Sequence, residues 1–310
     1  MKKKVVVVGG AGFIGSNLSQ ALVGEGFNVH VIDCFKSGKR ERVPISSTIH
    51  EVDICNLADL EKAFKSIGKI YCVFHLAALP RVQYSIDNPM ETHEVNVTGT
   101  LNVLRIASLV KARRLVYSAS SSAYGNQSSL PLNEEMPANP NSPYGLQKYV
   151  GELYVKLWSQ VYKLPTISLR YFNVYGPGLD PDGPYALVIG KFLKQRKVGE
   201  PLTITGDGKQ TRDFTYVHDV VKANILAMKS GQVGKGEIIN IGAGKSVSIN
   251  ELALMFGGKV KHIKPRAETK HSLADNKKAK RLLGWKPEFK LKDGIAELKK
   301  IFGVQSTTAE

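Results

Sequence analysis

The residues best suited to chemistry are a tyrosine and a lysine four apart, Tyr144 and Lys148, preceded by the serine-rich stretch Ser118-Ala119-Ser120-Ser121-Ser122-Ala123-Tyr124-Gly125. On a helix, positions i and i+4 project from one face about one turn apart, and Ser142-Pro143 suit the N-cap and first turn of such a helix. Removing hydride from a carbinol carbon requires the hydroxyl proton to leave too, so a base must touch that oxygen. Tyrosine, with a pKa near ~10, needs about 4 kcal/mol of selective phenolate stabilisation to work near ~7. Burial pushes the other way. A lysine ammonium at ~4 Å supplies about 4 kcal/mol at an effective dielectric of ~20, and a serine hydroxyl can hold the reacting oxygen in register. By itself the Tyr144/Lys148 spacing equally describes an ordinary exposed helix face, so its position in the fold decides its meaning.

Short β-branched runs alternate with amphipathic stretches, which predicts βαβ units and a parallel sheet. Lys4 to Val8 reads as a buried first strand, and Phe13 to Val23 as a helix with Ile14, Leu18, Ala21 and Leu22 on one face, stopped by Gly24 and Gly26. Further strands are expected at Val29 to Ile32, Ile49 to Val52, Tyr71 to Leu76, Arg114 to Ser118 and Thr166 to Phe172. A long helical region precedes Val110, and a helix spans Tyr144 to Tyr162. The Tyr144 helix therefore follows the fifth strand, whose end carries the serines. After Asn173 a breaker-rich loop, Tyr175 to Pro184, marks a domain boundary. The division expected is 1–173, joined by about 214–243, for dinucleotide binding and 174–310 for a smaller mixed α/β substrate domain.

Between the first strand and helix stands Gly9-Gly10-Ala11-Gly12-Phe13-Ile14-Gly15, readable as G-x-G-x-x-G from Gly10 or G-x-x-G-x-x-G from Gly9. Glycines there permit a tight turn and close backbone approach to a pyrophosphate, and the helix N-terminus supplies free N–H donors. Asp33 ends the second strand, where a carboxylate binds an adenosine ribose and repels a 2′-phosphate, favouring NAD over NADP. Asp53 suits either an adenine contact or a cap on the helix beginning near Leu57.

The remaining composition sets bounds. The chain has 310 residues, 43% of them hydrophobic and 23% charged, as in ordinary globular proteins. Its net charge of +16 fits nucleic-acid binding, attraction of small anionic substrates, or a basic solvated surface. The basic residues are dispersed and not interleaved with aromatics, which argues against nucleic acid. No apolar run approaches ~18 residues, and Val5 to Val8 breaks into glycines too soon for a signal peptide, so a cytoplasmic location without membrane insertion is expected. Cys34, Cys55 and Cys72 lack metal-ligand spacing and read as reduced thiols; no metal site is expected.

Over nearly its full length the chain resembles the NDP-sugar epimerase/dehydratase branch of the extended short-chain dehydrogenase/reductases, most of all the UDP-hexose and UDP-N-acetylhexosamine 4-epimerases. The matching stretches are the glycine segment, Phe74-His75-Leu76-Ala77-Ala78, Asn96-Val97-Thr98-Gly99-Thr100, Ser142 to Lys148, and Leu169-Arg170-Tyr171-Phe172-Asn173-Val174-Tyr175-Gly176-Pro177. The resemblance implies a Rossmann-type doubly wound parallel sheet with a smaller C-terminal substrate domain, resident NAD, and a homodimer packed through the helices around Glu91 to Val110 and Tyr144 to Tyr162. It implies Ser120, Tyr144 and Lys148 as the catalytic set. It places NAD against Gly9, Gly12, Phe13, Ile14, Gly15, Asp33, Cys34, Ser37, Gly38, Asp53, Ile54, Leu76, Ala77, Ala78, Asn96, Ser118, Tyr144, Lys148 and Tyr171. It places the UDP-sugar against Ser120, Tyr144, Asn173, Leu187, Val188, Phe192, Thr203, Thr205, Arg212, Arg266 and Ser272. For Arg212 the plain alternative is a surface salt bridge with Asp213.

Three departures from the family pattern stand out: Leu79-Pro80 replaces a polar stretch, the Arg266 motif is one residue short, and Ser272 occupies a gate that is tyrosine in strict hexose enzymes. A small gate leaves room for an N-acetyl group. Related dehydratases carry an acidic pair, and related decarboxylases a glutamate, where this chain has Ser120 to Ala123. Elimination therefore lacks its acid, and 4-epimerisation of UDP-glucose/UDP-galactose or their N-acetyl counterparts through a 4-keto sugar fits best. UDP-glucuronate 4-epimerisation, with Arg81 as a carboxylate partner, is the nearest alternative, followed by another dehydratase or reductase of the family.

Overall fold

In the computed structural model, which describes residues 2–181, 188–265 and 269–304, the valine run becomes the central strand β1, Lys4–Val8. Val5 and Val7 enter one core and Val6 and Val8 the other, as in a strand covered by helices on both faces. The chain continues through α1 (Phe13–Gly24), β2 (Asn28–Asp33), β3 (Thr48–Glu51), α2 (Leu57–Ile67) and β4 (Ile70–His75). After these come α3 (Val82–Asp87), α4 (Pro89–His93), α5 (Gly99–Leu109), β5 (Leu115–Ser120), α6 (Pro143–Val161) and β6 (Thr166–Tyr171). The long helix read before Val110 is thus broken. Asn88 leaves the helical region with φ −133° ahead of Pro89, as the residue before a proline tends to, and a π-helical turn at Glu94–Thr98 separates α4 from α5.

Beyond β6 come β7 (Val174–Tyr175), α7 (Val188–Lys197), β8 (Leu202–Thr205), β9 (Thr211–Asp213), β10 (Thr215–Tyr216), α8 (Val217–Lys229) and β11 (Lys235–Ile241). The chain ends with β12 (Ser246–Ser248), α9 (Ile249–Phe256), β13 (Val260–Ile263), α10 (Lys277–Leu283) and α11 (Leu291–Ile301). The main sheet has seven strands in the order β11-β6-β5-β4-β1-β2-β3, and every neighbouring pair is parallel. One face is packed by α1, α8 and α10, the other by α2, α5 and α6. This is a Rossmann-type doubly wound sheet. Its seventh strand lies in the 214–243 segment, which returns to the sheet after the chain has left to build β7 to β10. Three two-stranded ribbons, β7·β10, β8·β13 and β9·β12, accompany a third apolar core containing Tyr175, Phe192, Tyr216 and Phe256. Among the described residues no helix is long and apolar enough to cross a membrane.

Beneath the Tyr144 helix lies a buried ion pair. Arg170 on β6 donates from Nε and Nη2 to the two carboxylate oxygens of Glu152 on α6, at 2.8 and 2.7 Å, with side-chain exposures of 2% and 0%. The guanidinium also stacks over Tyr124, 4.4 Å from the ring centroid. Removing one partner of such a pair strands a buried charge, whereas removing both does not. Arg170→Met is therefore expected to cost about 3–5 kcal/mol in urea unfolding, and the double variant Arg170→Met/Glu152→Leu to regain only part of it, because Lys148 then loses Glu152.

Candidate active site

Parallel strands share one carboxyl edge, and ligands of such sheets bind there, where the strand order reverses. Here that point lies between β1 and β4, and the loops leaving it carry the candidate residues. Gly9 has φ +83°, and a Cβ on it would sit 2.5 Å from the Ala77 nitrogen. Leu76 and Ala77 both donate their amides to the Val8 carbonyl, so the loop after β4 is laced to the end of β1. A Cβ on Gly15 would meet the Gly9 carbonyl at 2.1 Å. Gly12 is the N-cap of α1 and offers no side-chain cap. Gly9, with its positive φ, is thus the turn glycine, and Gly10 is close-packed as well, since a Cβ there would lie 2.7 Å from Val31 Cγ1. A backbone cradle with an uncapped helix N-terminus fits a pyrophosphate.

Asp33 follows directly, at the end of β2. Its oxygens accept the Ala11 and Phe35 amides, each at 2.9 Å, which ties the carboxylate to the glycine loop and leaves each oxygen further lone pairs. Gly38 packs on Ala11 and Asp33 without room for a Cβ, beside exposed Cys34 and Ser37. Asp53 is exposed, and its Oδ1 accepts the Cys55 amide. The cap on α2 is Asn56, whose side chain accepts the Asp59 amide, so the capping alternative for Asp53 falls away. Ile54 is chiefly a core residue, 5% exposed. Asn96 is committed elsewhere: it clamps the Leu79 amide and carbonyl and donates to Gln147 Oε1, so it steadies the loop after β4 instead of presenting a free amide.

The catalytic candidates meet at the ends of β5 and α6. Ser142 accepts the Gly145 amide at 3.1 Å as N-cap, and Ser85 accepts the Tyr144 amide at 3.0 Å. Ser120, at the end of β5, donates from Oγ to Ser122 Oγ at 3.1 Å and accepts the Ser122 amide at 3.2 Å, close enough to the Tyr144 phenol to act on its acidity. Lys148, 3% exposed, donates from Nζ to the Ser118 carbonyl at 2.8 Å and lies 4.8 Å from the Tyr117 ring centroid. Burial pushes the Tyr144 phenol up to about 12, with Ser120 opposing. Burial also holds the Lys148 ammonium down to about 7, with Glu152 opposing. In the bare chain burial therefore outweighs any pull of the ammonium on the phenol. Tyr171 is held deeper, its hydroxyl between Ser118 at 3.0 Å and Asn224 on α8 at 2.8 Å.

The substrate-side candidates fall into two groups. Asn173, with φ 33°, donates to the Asp213 carbonyl at 2.9 Å and to Ser272 Oγ at 3.4 Å. Arg212 adjoins them on β9 and donates to the Thr211 and Lys270 carbonyls. Farther along, Thr203 is paired with Gln195, Thr205 lines an open cleft with Gln210, His262 and Pro265, and Val188 is half-buried at the start of α7. Phe192 is corrected to a core residue: it is fully buried and packs edge-on against Phe256, because the inner face of α7 seals the third core. Leu187 and Arg266 lie outside the described residues. Sequence reasoning missed Ser85, Gln147, Asn224 and the anchoring part of Asp213; each acts on a candidate from a distant element, and only the Arg212-Asp213 adjacency hinted at one.

The fold and this site define a dinucleotide-dependent enzyme of the short-chain dehydrogenase/reductase type. Residues 5–242 match the NAD dependent epimerase/dehydratase family, and the chain belongs to that family. A putative UDP-glucose 4-epimerase of Methanocaldococcus jannaschii is 40% identical, over 94% of this chain and 95% of its own. The UDP-N-acetylglucosamine 4-epimerase of Methanobrevibacter ruminantium, solved with UDP-N-acetylmuramic acid, superposes with a TM-score of 0.91 at 38% identity, covering 99% and 100%. The UDP-glucuronic acid 4-epimerase of Bacillus cereus, solved with UDP-glucuronic acid and NAD, gives 0.88 at 32%, covering 97% and 99%. NAD is thus the cofactor, and the glycine cradle and Asp33 fit it. A Cβ on Gly12 would meet only the Gly9 carbonyl, at 3.4 Å, so Gly12→Val should fold. Its larger side chain fills the pyrophosphate approach, and NAD released from the purified protein, assayed by chromatography, should fall more than about tenfold.

Proposed function

We propose that the chain is a UDP-sugar 4-epimerase acting on UDP-glucose/UDP-galactose and on their N-acetyl counterparts. The observation that supports this most directly is the convergence of α6, bearing Tyr144 and Lys148, on the serine end of β5, where Lys148 bonds the Ser118 carbonyl and the segment Ser120 to Ala123 has no carboxylate. Bound NAD supplies a hydride acceptor and a positive charge that favours the phenolate. Ser120 holds the C4 hydroxyl, and Tyr144 takes its proton as the carbinol is oxidised. Lys148, fixed to the Ser118 carbonyl one helical turn from Tyr144, is held by Glu152 against the loss of charge that burial favours. The 4-keto sugar turns about its diphosphate, gripped by Asn173 and Arg212, and Tyr144 returns the proton when the carbon is reduced on its other face. Nothing is eliminated, so no further acid is required. Ser272 lies beside Asn173, and a residue this small in place of a tyrosine gate supports acceptance of an N-acetyl group.

We also read the chain as a homodimer. Leu146, Leu153, Leu157 and Val161 form one exposed stripe along α6, with Leu109 of α5 and Met90 of α4 exposed nearby in the chain's helical layer. Contiguous apolar surface of this kind marks an interaction face. Leu153→Glu/Leu157→Glu is expected to sediment as a monomer where wild type sediments as a dimer.

The purified protein should interconvert UDP-glucose with UDP-galactose, or UDP-N-acetylglucosamine with UDP-N-acetylgalactosamine, in a chromatographic assay without added NAD. Exclusive turnover of UDP-glucuronate would replace this reading with the uronate one. Tyr144→Phe is expected to retain NAD and lose about 10²–10⁴-fold in turnover; turnover at the wild-type rate would remove Tyr144 from its role.

A further inference from the structure

Asp213 is completely buried, yet no step above uses its carboxylate. Its Oδ1 accepts the Ala243 amide at 2.7 Å, and its Oδ2 accepts the amides of Gly244 at 3.0 Å and Ala274 at 2.9 Å. Its main chain is engaged as well: the carbonyl accepts Asn173 Nδ2, and the amide donates to Ser272 Oγ at 3.2 Å. One residue therefore joins β9, the loop after β11, the Ser272 segment and the turn after β6. The packing is close enough that a Cβ on Gly242 would fall 2.9 Å from Asp213 Oδ2 and 2.4 Å from Ala274 Cβ.

Three of these four segments carry Asn173, Arg212 and Ser272, the residues read above as meeting the substrate's diphosphate and sugar, and the loop after β11 braces them. Each comes from a different stretch of chain; Phe172 and Ala274 share a small apolar cluster, and the directional bonds to Asp213 add a fixed orientation to that packing. Neighbouring side chains on a strand leave on opposite faces, so anchoring Asp213 inward also fixes the direction in which Arg212 departs. We propose that Asp213 is a positioning residue that assembles the diphosphate-binding side of the site by holding three backbone N–H groups on one buried carboxylate. This rests on the functional reading above. An ionised carboxylate presents acceptors only, whereas an amide of the same shape presents an NH₂ to converging donors; the inference therefore distinguishes charge from shape.

The test is Asp213→Asn in the NAD-loaded enzyme, with UDP binding measured by calorimetry and UDP-sugar turnover by chromatography. The expected result is UDP affinity weakened at least about tenfold, with the kinetic loss falling on KM rather than kcat and NAD content at the wild-type level. A purely structural role would instead lower NAD content, kcat and thermal stability together. UDP affinity within twofold of wild type would overturn the proposal. If Asp213→Asn does not fold, hydrogen exchange on the wild-type holoenzyme decides. UDP should then protect residues 242–245 and 272–276 together, and protection of one segment without the other would overturn it. Failure of wild type to bind UDP at all would instead overturn the functional reading.

Discussion

A buried lysine ammonium is the constraint around which this molecule is arranged. Lys148 is nearly sealed from solvent, and an isolated charge in that position would be costly. Its environment answers with a strand-end carbonyl at 2.8 Å, an aromatic face and, one helical turn on, the carboxylate of Glu152. Glu152 is itself held at two points by Arg170. For these groups to converge, β5, β6 and α6 must keep one relative placement. The absence of side chains at two glycines of α6 enforces that placement: a Cβ on Gly145 would meet the Ser122 carbonyl at 2.7 Å, and one on Gly151 the Tyr117 hydroxyl at 2.2 Å. The Tyr144 phenol inherits its position from this arrangement.

The site divides into a rigid half and an assembled half. The cofactor side is built from strand ends of a single sheet, laced by backbone bonds such as Ala77 to Val8 and Gly9 to Ile32, so its geometry follows from the sheet. The substrate side has no such frame. Its segments belong to short ribbons and loops, and polar clamps of Asp213, Asn173 and Ser272 hold them together. A family with one cofactor and several sugar substrates fits this division, because loops can vary while the sheet edge stays fixed.

Buried polar groups carry much of the specificity. Tyr171, Asn224 and Ser118 share one hydroxyl-centred cluster, and Asn96, Gln147 and Thr92 another. The second sits at the π turn before α5 and connects the loop after β4 to the helix bearing Tyr144. Such clusters are expensive when half-satisfied and rigid when complete, which suits residues that must place a phenol beside a cofactor.

The sequence by itself determined whatever is written within a few adjacent residues. Short β-branched runs marked the sheet strands up to β6, an apolar face of helical spacing marked α1, Ser142-Pro143 marked the start of α6, and the glycine spacing with Asp33 marked a dinucleotide loop. Tertiary structure decided what depends on a distant partner. It chose Gly9 over Gly10 as the turn glycine because the loop after β4 crosses it, and it gave the α2 cap to Asn56 and left Asp53 exposed. It also sent Phe192 into a core and turned Asp213 from an apparent surface neighbour of Arg212 into a buried clamp. The physical reason is common to all of these: a backbone pattern is local, but the burial and bonding of a side chain are set by whichever segment folds against it.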